Sequence, residues 1–366
     1  MINQTITAVL FLIASTQFAL IFGEISLTQR AQLNFTVNLL KEIAKDSKSA
    51  ILSPFSISTA LFMVYLAADG GTKQELLKFL GETASETEVR MHFDKLIAEI
   101  YRRKNENYVL HLANRCYVRE GFSTKQGFSN MLQFYYGDTL HYFHYNQRYQ
   151  LAQDVNNWVS DNTNHKITQL LTPGSINENT QMLLLNAIYF SGTWETQFND
   201  EKTRNATFYV SENETKNVSM MILKEEFSYY EDDSVQVLKL PYIGVEQLLT
   251  YISVTEPDDV LINLPKFQVQ GDLDLKETLQ KIGLMNAFSE GANFKELTDL
   301  AISVSKIMHK GFIKVNEKGT ESAAAIAVNF DFRSLAPSKK FIADQPFLFA
   351  IVRNSNTILF AGQFGK

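Results

Sequence analysis

Residues 31–45, AQLNFTVNLLKEIAK, place Leu33, Val37, Leu40 and Ile43 at the spacing of one helix face, which predicts an amphipathic helix. Ser53 followed by Pro54 predicts a second helix running through Tyr65, because a serine hydroxyl can cap the free amides of a first turn and proline fits its opening position. Thr72 is placed to cap a third helix over TKQELLKFL, and periodicity predicts longer ones over 87–104 and 151–171. From residue 181 the texture changes. Short apolar runs, QMLLLNAIYF, VQVLKLPY, DVLINLPKFQVQ and TILFAGQF, alternate with polar loops and read as strands. Helices fill the first half and strands the second, so an α+β fold is expected. No repeat and no Pro/Gly/Ser linker interrupts the sequence, and residues 24–366 read as a single domain.

Composition narrows the function classes. The 366 residues are 45% hydrophobic and 20% charged, enough apolar material for a large core. Lys and Arg number 34 against 40 Asp and Glu, a net charge of −6, which argues against nucleic acid as the main partner. A single cysteine, Cys116, excludes an intramolecular disulfide framework and any multi-cysteine metal site. It lies in the apolar run LANRCYV, where a buried, inert thiol is expected. His141 and His144 in LHYFHY fall on opposite faces of a strand, so no metal pair is expected there, and no cofactor. Arg102, Arg103 and Lys104 read as a solvated charge run rather than a polyanion site. No HExxH, GxSxG, Walker A or GxGxxG sequence occurs, which removes the commonest hydrolase and nucleotide-binding signatures.

The N-terminus carries an apolar run from Ala8 to Ala14, interrupted by Ser15, Thr16 and Gln17 and resumed from Phe18 to Phe22. It is short for a membrane span and suits the apolar region of a signal peptide over 1–23, with a buried first helix of a cytosolic protein as the alternative. Acceptor sequons at Asn34, Asn205, Asn213 and Asn217, three of them within one polar stretch, lean the same way. The expectation is a secreted, extracellular glycoprotein without a membrane anchor.

One segment near the C-terminus stands apart: GFIKVNEKGTESAAAIAVNFDFRSLAPSKKFIADQPFLFAI. Ser322 to Ala327 has no helix-period stripe, follows a strand-like run and precedes a polar, basic stretch. Small side chains at both parities suit an extended segment able to slide between two strands. Left exposed, it would be an aggregation hazard unless insertion were its purpose.

These residues resemble the serpin family, and the likeness spans nearly the whole chain after the N-terminal segment. EKGTESAAAIA, from Glu317 to Ala327, is similar to the proximal hinge of an inhibitory reactive-centre loop, and FIADQPFLFAI to the strand that follows it. SPFSISTAL with Ser53 and Ser56, Asn156 and Trp158 in VNNWV, LNAIYFSGTW with Asn186 and Trp194, His309 in SKIMHKG, and LPKFQV occur in the family's order.

The resemblance implies three β-sheets, eight or nine helices and an exposed reactive-centre loop over about 317–340. It implies a non-enzyme that acts as a suicide substrate. A serine protease attacks the loop and forms a covalent acyl-enzyme complex, and the cleaved loop inserts as a new strand. The protein would be a monomer with polymerisation as a hazard. Ser53, Ser56, Asn186 and His309 would form the shutter where the large sheet parts, with Trp194 near the breach. Counting Glu317 as seventeenth before the scissile bond, as the family does, puts the reactive bond at Arg333–Ser334. That implies an arginine-preferring, trypsin-like target; a register slip of one residue would present Phe332 to a chymotrypsin-like enzyme. Gly319, Thr320, Glu321, Ser322 and Ala323, Ala324 and Ala325 form a mostly small, proline-free hinge that favours an inhibitor. The alternatives are a non-inhibitory chaperone, carrier or storage serpin, or an inactive splice variant.

The last alternative comes from a departure. In the family, a strand like VQVLKLPY is followed by an apolar hairpin partner and a short helix. Here Gly244 leads almost directly to EQLLTYIS and then LINLPKF. Losing such a strand is expected to expose unpaired edges and remove apolar side chains worth roughly 1.5–3 kcal/mol each, leaving a less stable, aggregation-prone chain.

Overall fold

The structure is a computed structural model that describes residues 6–13, 26–45, 49–101, 108–233, 235–243, 255–320, 338–353 and 357–365. Its helices are α1 (Leu27–Ala44), α2 (Pro54–Ala67), α3 (Gly70–Gly81), α4 (Glu86–Tyr101), α5 (Gln126–Tyr136), α6 (Arg148–Asn162) and α7 (Lys276–Lys281). The early strands are β1 (Ile6–Ile13), β2 (Ala50–Leu52), β3 (Tyr108–Arg119), β4 (His141–Phe143), β5 (Met182–Thr193), β6 (Arg204–Ser211), β7 (Glu214–Glu231) and β8 (Val235–Pro241). The later ones are β9 (Glu256–Pro265), β10 (Phe267–Asp274), β11 (Val304–Asn316), β12 (Gly319–Thr320), β13 (Lys339–Ile342), β14 (Phe347–Arg353) and β15 (Thr357–Phe364).

Local sequence explains most boundaries. Ser26 and Gln29 form a reciprocal capping box that starts α1 four residues before its predicted periodic stretch. Ser53 caps α2 as predicted, accepting the Ser56 amide at 3.1 Å. Every residue of α2 is buried, so this helix is apolar all round and forms the centre of the core. Thr72 is not the cap of α3, which begins at Gly70; its hydroxyl instead accepts the Asn293 amide at 2.9 Å. The helix expected over 151–171 stops at Asn162. Asn156 takes over the chain beyond it, accepting the amides of Leu170 and Leu171 and donating to the Leu171 carbonyl.

A six-stranded sheet has the order β10-β11-β12-β5-β3-β4, with β5 and β11 also paired directly and parallel. The second sheet has nine strands, β13-β9-β7-β8-β1-β14-β15-β2 with β6 on β7. It has two arms, β6, β9 and β13 on one and β8, β1, β14, β15 and β2 on the other. The 18-residue β7 runs through both, so the second and third sheets of a three-sheet architecture are joined by continuous hydrogen bonding. The main core lies between the sheets and around α2, and a smaller apolar cluster packs α6 on β3, β5 and β11.

Two expectations fail here. The N-terminal apolar run is neither a free leader nor a helix over Ile6–Ile13; it is strand β1. The edges expected to be unpaired after β8 are paired, because β1 lies antiparallel between β8 and β14. Glu246 to Val254, the other stretch that could supply such a strand, is outside the described residues, as are Arg102, Arg103 and Lys104.

Candidate functional site

The site is built on the seam between β5 and β11. Along its lower part the two strands pair directly, from Val304 beside Met182 to Phe312 beside Tyr189. Above that they diverge, and β12 enters between them: Gly319 and Thr320 pair with Thr193 and Gly192 of β5 and with Asn316 and Val315 of β11. The start of the hinge is therefore already a strand of the sheet.

Sequence dictates this entry. Gly319 has φ +145°, and a Cβ there would lie 2.1 Å from the Gly192 carbonyl oxygen, so only glycine fits. Thr320 is fully buried, its hydroxyl 2.6 Å from that of Tyr242. Burial pushes the Tyr242 phenol well above its ordinary value, so it stays a neutral hydrogen-bonding group. Trp194 stacks on Tyr242 with ring centroids 4.4 Å apart, and its indole N–H donates to the Asn316 carbonyl at 3.0 Å. Glu317 is clamped just outside. Thr203 donates to one carboxylate oxygen at 2.8 Å and Lys266 pairs with the other at 2.9 Å. Burial alone would raise the Glu317 carboxyl, but Lys266, a backbone amide and Thr203 outweigh it and hold it below its ordinary value.

Midway down the seam, His309 and Asn186 are register partners across it. The Ser53 amide donates to His309 Nε2 at 3.1 Å, which leaves Nδ1 as the protonated nitrogen donating to Asn186 Oδ1. Ser56 Oγ also donates to that oxygen, at 2.8 Å. Asn186 Nδ2 donates to the Ser56 carbonyl at 3.1 Å and to Asn114 Oδ1 on β3, and Asn114 donates to Thr59 Oγ1 at 3.0 Å. Tyr136 of α5 closes the chain on the Thr59 carbonyl at 2.6 Å. Each of these polar groups is buried and has a partner, so one network ties three strands to the N-terminal half of α2. Burial pushes the His309 imidazole down to about 3.

Of the residues singled out from sequence, Ser53, Ser56, Asn186 and His309 converge in this network, and Trp194, Glu317, Gly319 and Thr320 at the upper end of the seam. Glu321, Ser322, Ala323, Ala324, Ala325, Phe332, Arg333 and Ser334 lie outside the described residues. Sequence reasoning missed Thr59, Asn114, Tyr136 and Tyr242. Asn114 carried a usable signal, a carboxamide inside the apolar strand LANRCYV.

The remaining candidates are quiet. Cys116 is buried and its thiol is pushed up to about 12, which makes it inert. His141 pairs with Asp138 at 3.0 Å. Among the described residues no cluster of His, Cys, Asp and Glu could hold a metal ion, and no helix is long and apolar enough to cross a membrane.

Comparison with known proteins puts this geometry in context. The family model described as Serpin (serine protease inhibitor) matches residues 30–258 and, separately, 243–366. Serpin B6 of Pongo abelii is 34% identical over 366 residues, covering 91% of this chain and 97% of the relative. Leukocyte elastase inhibitor of Homo sapiens is 34% identical over 374 residues, covering 92% and 98%. Among solved structures, Serpin48 of the insect Tenebrio molitor superposes with a TM-score of 0.82 at 29% identity, over 93% of this chain and 98% of that one. These relatives overturn the expectation of a secreted, extracellular protein with a signal peptide, since Serpin B6 and leukocyte elastase inhibitor point away from secretion. The structural reason is the strand β1, which makes part of the presumed leader a member of the sheet. Asn34, Asn205, Asn213 and Asn217 are all exposed, but with the secretory route withdrawn they play no part in the functional reading.

Proposed function

Because the chain belongs to the serpin family, we propose that it inhibits an arginine-preferring serine protease by offering Arg333–Ser334 as bait and inserting the cleaved loop between β5 and β11. The observation that carries this reading is β12: Gly319 and Thr320 already occupy the head of the seam, in antiparallel register with both neighbours. The residues that follow, Ser322 and Ala323 to Ala325, are small enough to continue downward.

The energetics are adequate. A residue inserted between two strands makes about two ladder bonds, and parting the direct β5–β11 ladder costs about one. The net is about one bond per inserted residue, at roughly 0.5–1.5 kcal/mol each, so the segment from Glu321 to Arg333 yields on the order of 10 kcal/mol. That is comparable with the stability of a folded protease domain, about 5–15 kcal/mol.

Specificity follows from side-chain chemistry. A long cation at Arg333 fits a pocket with a carboxylate at its base, whereas an elastase-type pocket is small. The target is therefore of a different class from the one in the name of the leukocyte elastase inhibitor relative. Incubation with trypsin tests this. The expected result is an SDS-stable covalent complex, with cleavage mapped by mass spectrometry to the bond after Arg333. Trapping of chymotrypsin after Phe332 instead refutes the register, and cleavage by trypsin without a complex moves the non-inhibitory reading ahead.

A further inference from the structure

In the larger sheet β8 and β14 are not neighbours, because β1 lies between them. Thr7 to Ile13 run antiparallel to Pro241 to Val235 on one side, and Ile6 to Phe11 to Arg353 to Leu348 on the other. Two independent observations make this placement meaningful. The family match starts at residue 30, so β1 is outside it, and it falls into two matches that overlap at 243–258, directly after β8. The chain thus departs from the family pattern at the point where β8 would be given its next neighbour, and a segment foreign to that pattern occupies the place.

The second observation is chemical. Val237, Leu238 and Leu240 of β8 and Phe349 to Val352 of β14 are buried, at consecutive positions as well as alternate ones. Much of both faces is buried here, with Gln236 and Lys239 of β8 among the half-buried exceptions, so a strand between β8 and β14 is best apolar at consecutive positions. From Ala8 to Ile13, AVLFLI, β1 is such a sequence. An amphipathic strand of alternating polarity would bury polar groups on one face.

We infer that Ile6–Ile13 is a donor strand, which completes the larger sheet within its own chain in place of the absent hairpin partner of β8. The same apolar continuity that mimics a leader is what the slot requires. Without the strand, β8 and β14 present two unpaired edges, a template for pairing with other chains.

Paired cysteines in the full chain test this directly. Val9→Cys with Ala350→Cys and Ala8→Cys with Ile351→Cys are adjacent register pairs, so one of them has the closer, non-hydrogen-bonded geometry. Cys116 is buried and does not compete. The expected result is a disulfide within single chains for at least one pair, read by mass spectrometry of the monomer, and none for Val9→Cys with Ile351→Cys, which are one position out of register. Disulfides found only between two chains, or in neither pair, overturn the assignment. Deletion of residues 1–13 is the second arm, with a drop in melting temperature of roughly 10 °C or more, or loss of soluble monomer, as the expected outcome. A peptide of residues 4–15 fused to a soluble carrier protein restores the monomer on co-expression. A truncated chain that melts unchanged overturns the inference. Neither arm reads protease inhibition, so failure of the proposed inhibitory function leaves this test intact.

Discussion

Gly319→Ala isolates the coupling between hinge and sheet. The added Cβ would sit 2.1 Å from the Gly192 carbonyl oxygen and 2.9 Å from the Thr193 Cα, both backbone atoms of a central strand that cannot move aside cheaply. The positive φ of +145° adds strain of about 1–3 kcal/mol for any residue with a side chain. The alternative to bearing that cost is ejection of β12, which gives up a few ladder bonds at about 0.5–1.5 kcal/mol each. Ejection also separates Thr320 from Tyr242 and leaves a buried phenol unpartnered, at about 1–3 kcal/mol. Either route costs about 3–6 kcal/mol locally. Hydrogen exchange and inhibition stoichiometry are the assays. Amide protection at Thr320 and at facing Gly192 and Thr193 is expected to fall by at least tenfold, a difference of about 1.4 kcal/mol. With the hinge outside the sheet, insertion starts later relative to hydrolysis of the acyl-enzyme, so more inhibitor is consumed per protease trapped. Unchanged protection together with unchanged stoichiometry would refute the claim that β12 is the seated start of insertion.

Three further outcomes follow from the same geometry. Thr320→Arg places a charge in a fully buried site, and the variant is expected to be cleaved by trypsin without trapping it, read on SDS gels. Asn186→Ala leaves His309, Ser56 and Asn114 without shared partners, and urea unfolding is expected to show a loss of about 2–4 kcal/mol, whereas a neutral result would mean the network carries no stability. His309 is pushed from 6.5 to about 3 by burial, so below 6.5 the unfolded chain binds a proton that the folded chain refuses. Its contribution is therefore fully present above pH 6.5 and falls by about 1.4 kcal/mol per pH unit between 6.5 and about 3. A His309→Gln variant should show a shallower decline across that window.

What the sequence revealed depended on whether a residue's signal was local. Ser53–Pro54 announces the start of α2 because capping is a property of adjacent residues. Gly319 at the start of the hinge was readable because the close approach of a strand leaves room only for glycine. β7 was not readable: much of its hairpin with β6 is exposed on both faces, so no alternation marks it. Tyr242 acquires its role only through contacts with Trp194 and Thr320, which are far away in sequence. The N-terminal run misled for a physical reason. A leader's apolar region and an interior strand of a sheet share one pattern, a short unbroken apolar stretch, and only the neighbouring strands distinguish them.

The chain that leaves β12 returns at β13, which lies in the other sheet. There Lys339 to Ile342 run parallel to Val260 to Asn263 of β9, Phe341 is fully buried, and the Ala343 amide donates to the Asn263 carbonyl at 2.9 Å. Residues 321–337 therefore join two strands that are fastened in different sheets. On the insertion proposed above, β13 is the downstream anchor against which an uncut chain would pull. A cut at the proposed Arg333–Ser334 bond would uncouple the upstream half from that anchor while β13 stays paired with β9. Under that proposal peptide-bond hydrolysis acts as a release catch whose setting is topological, and the strength of the β13–β9 pairing is expected to set how readily the uncut chain inserts.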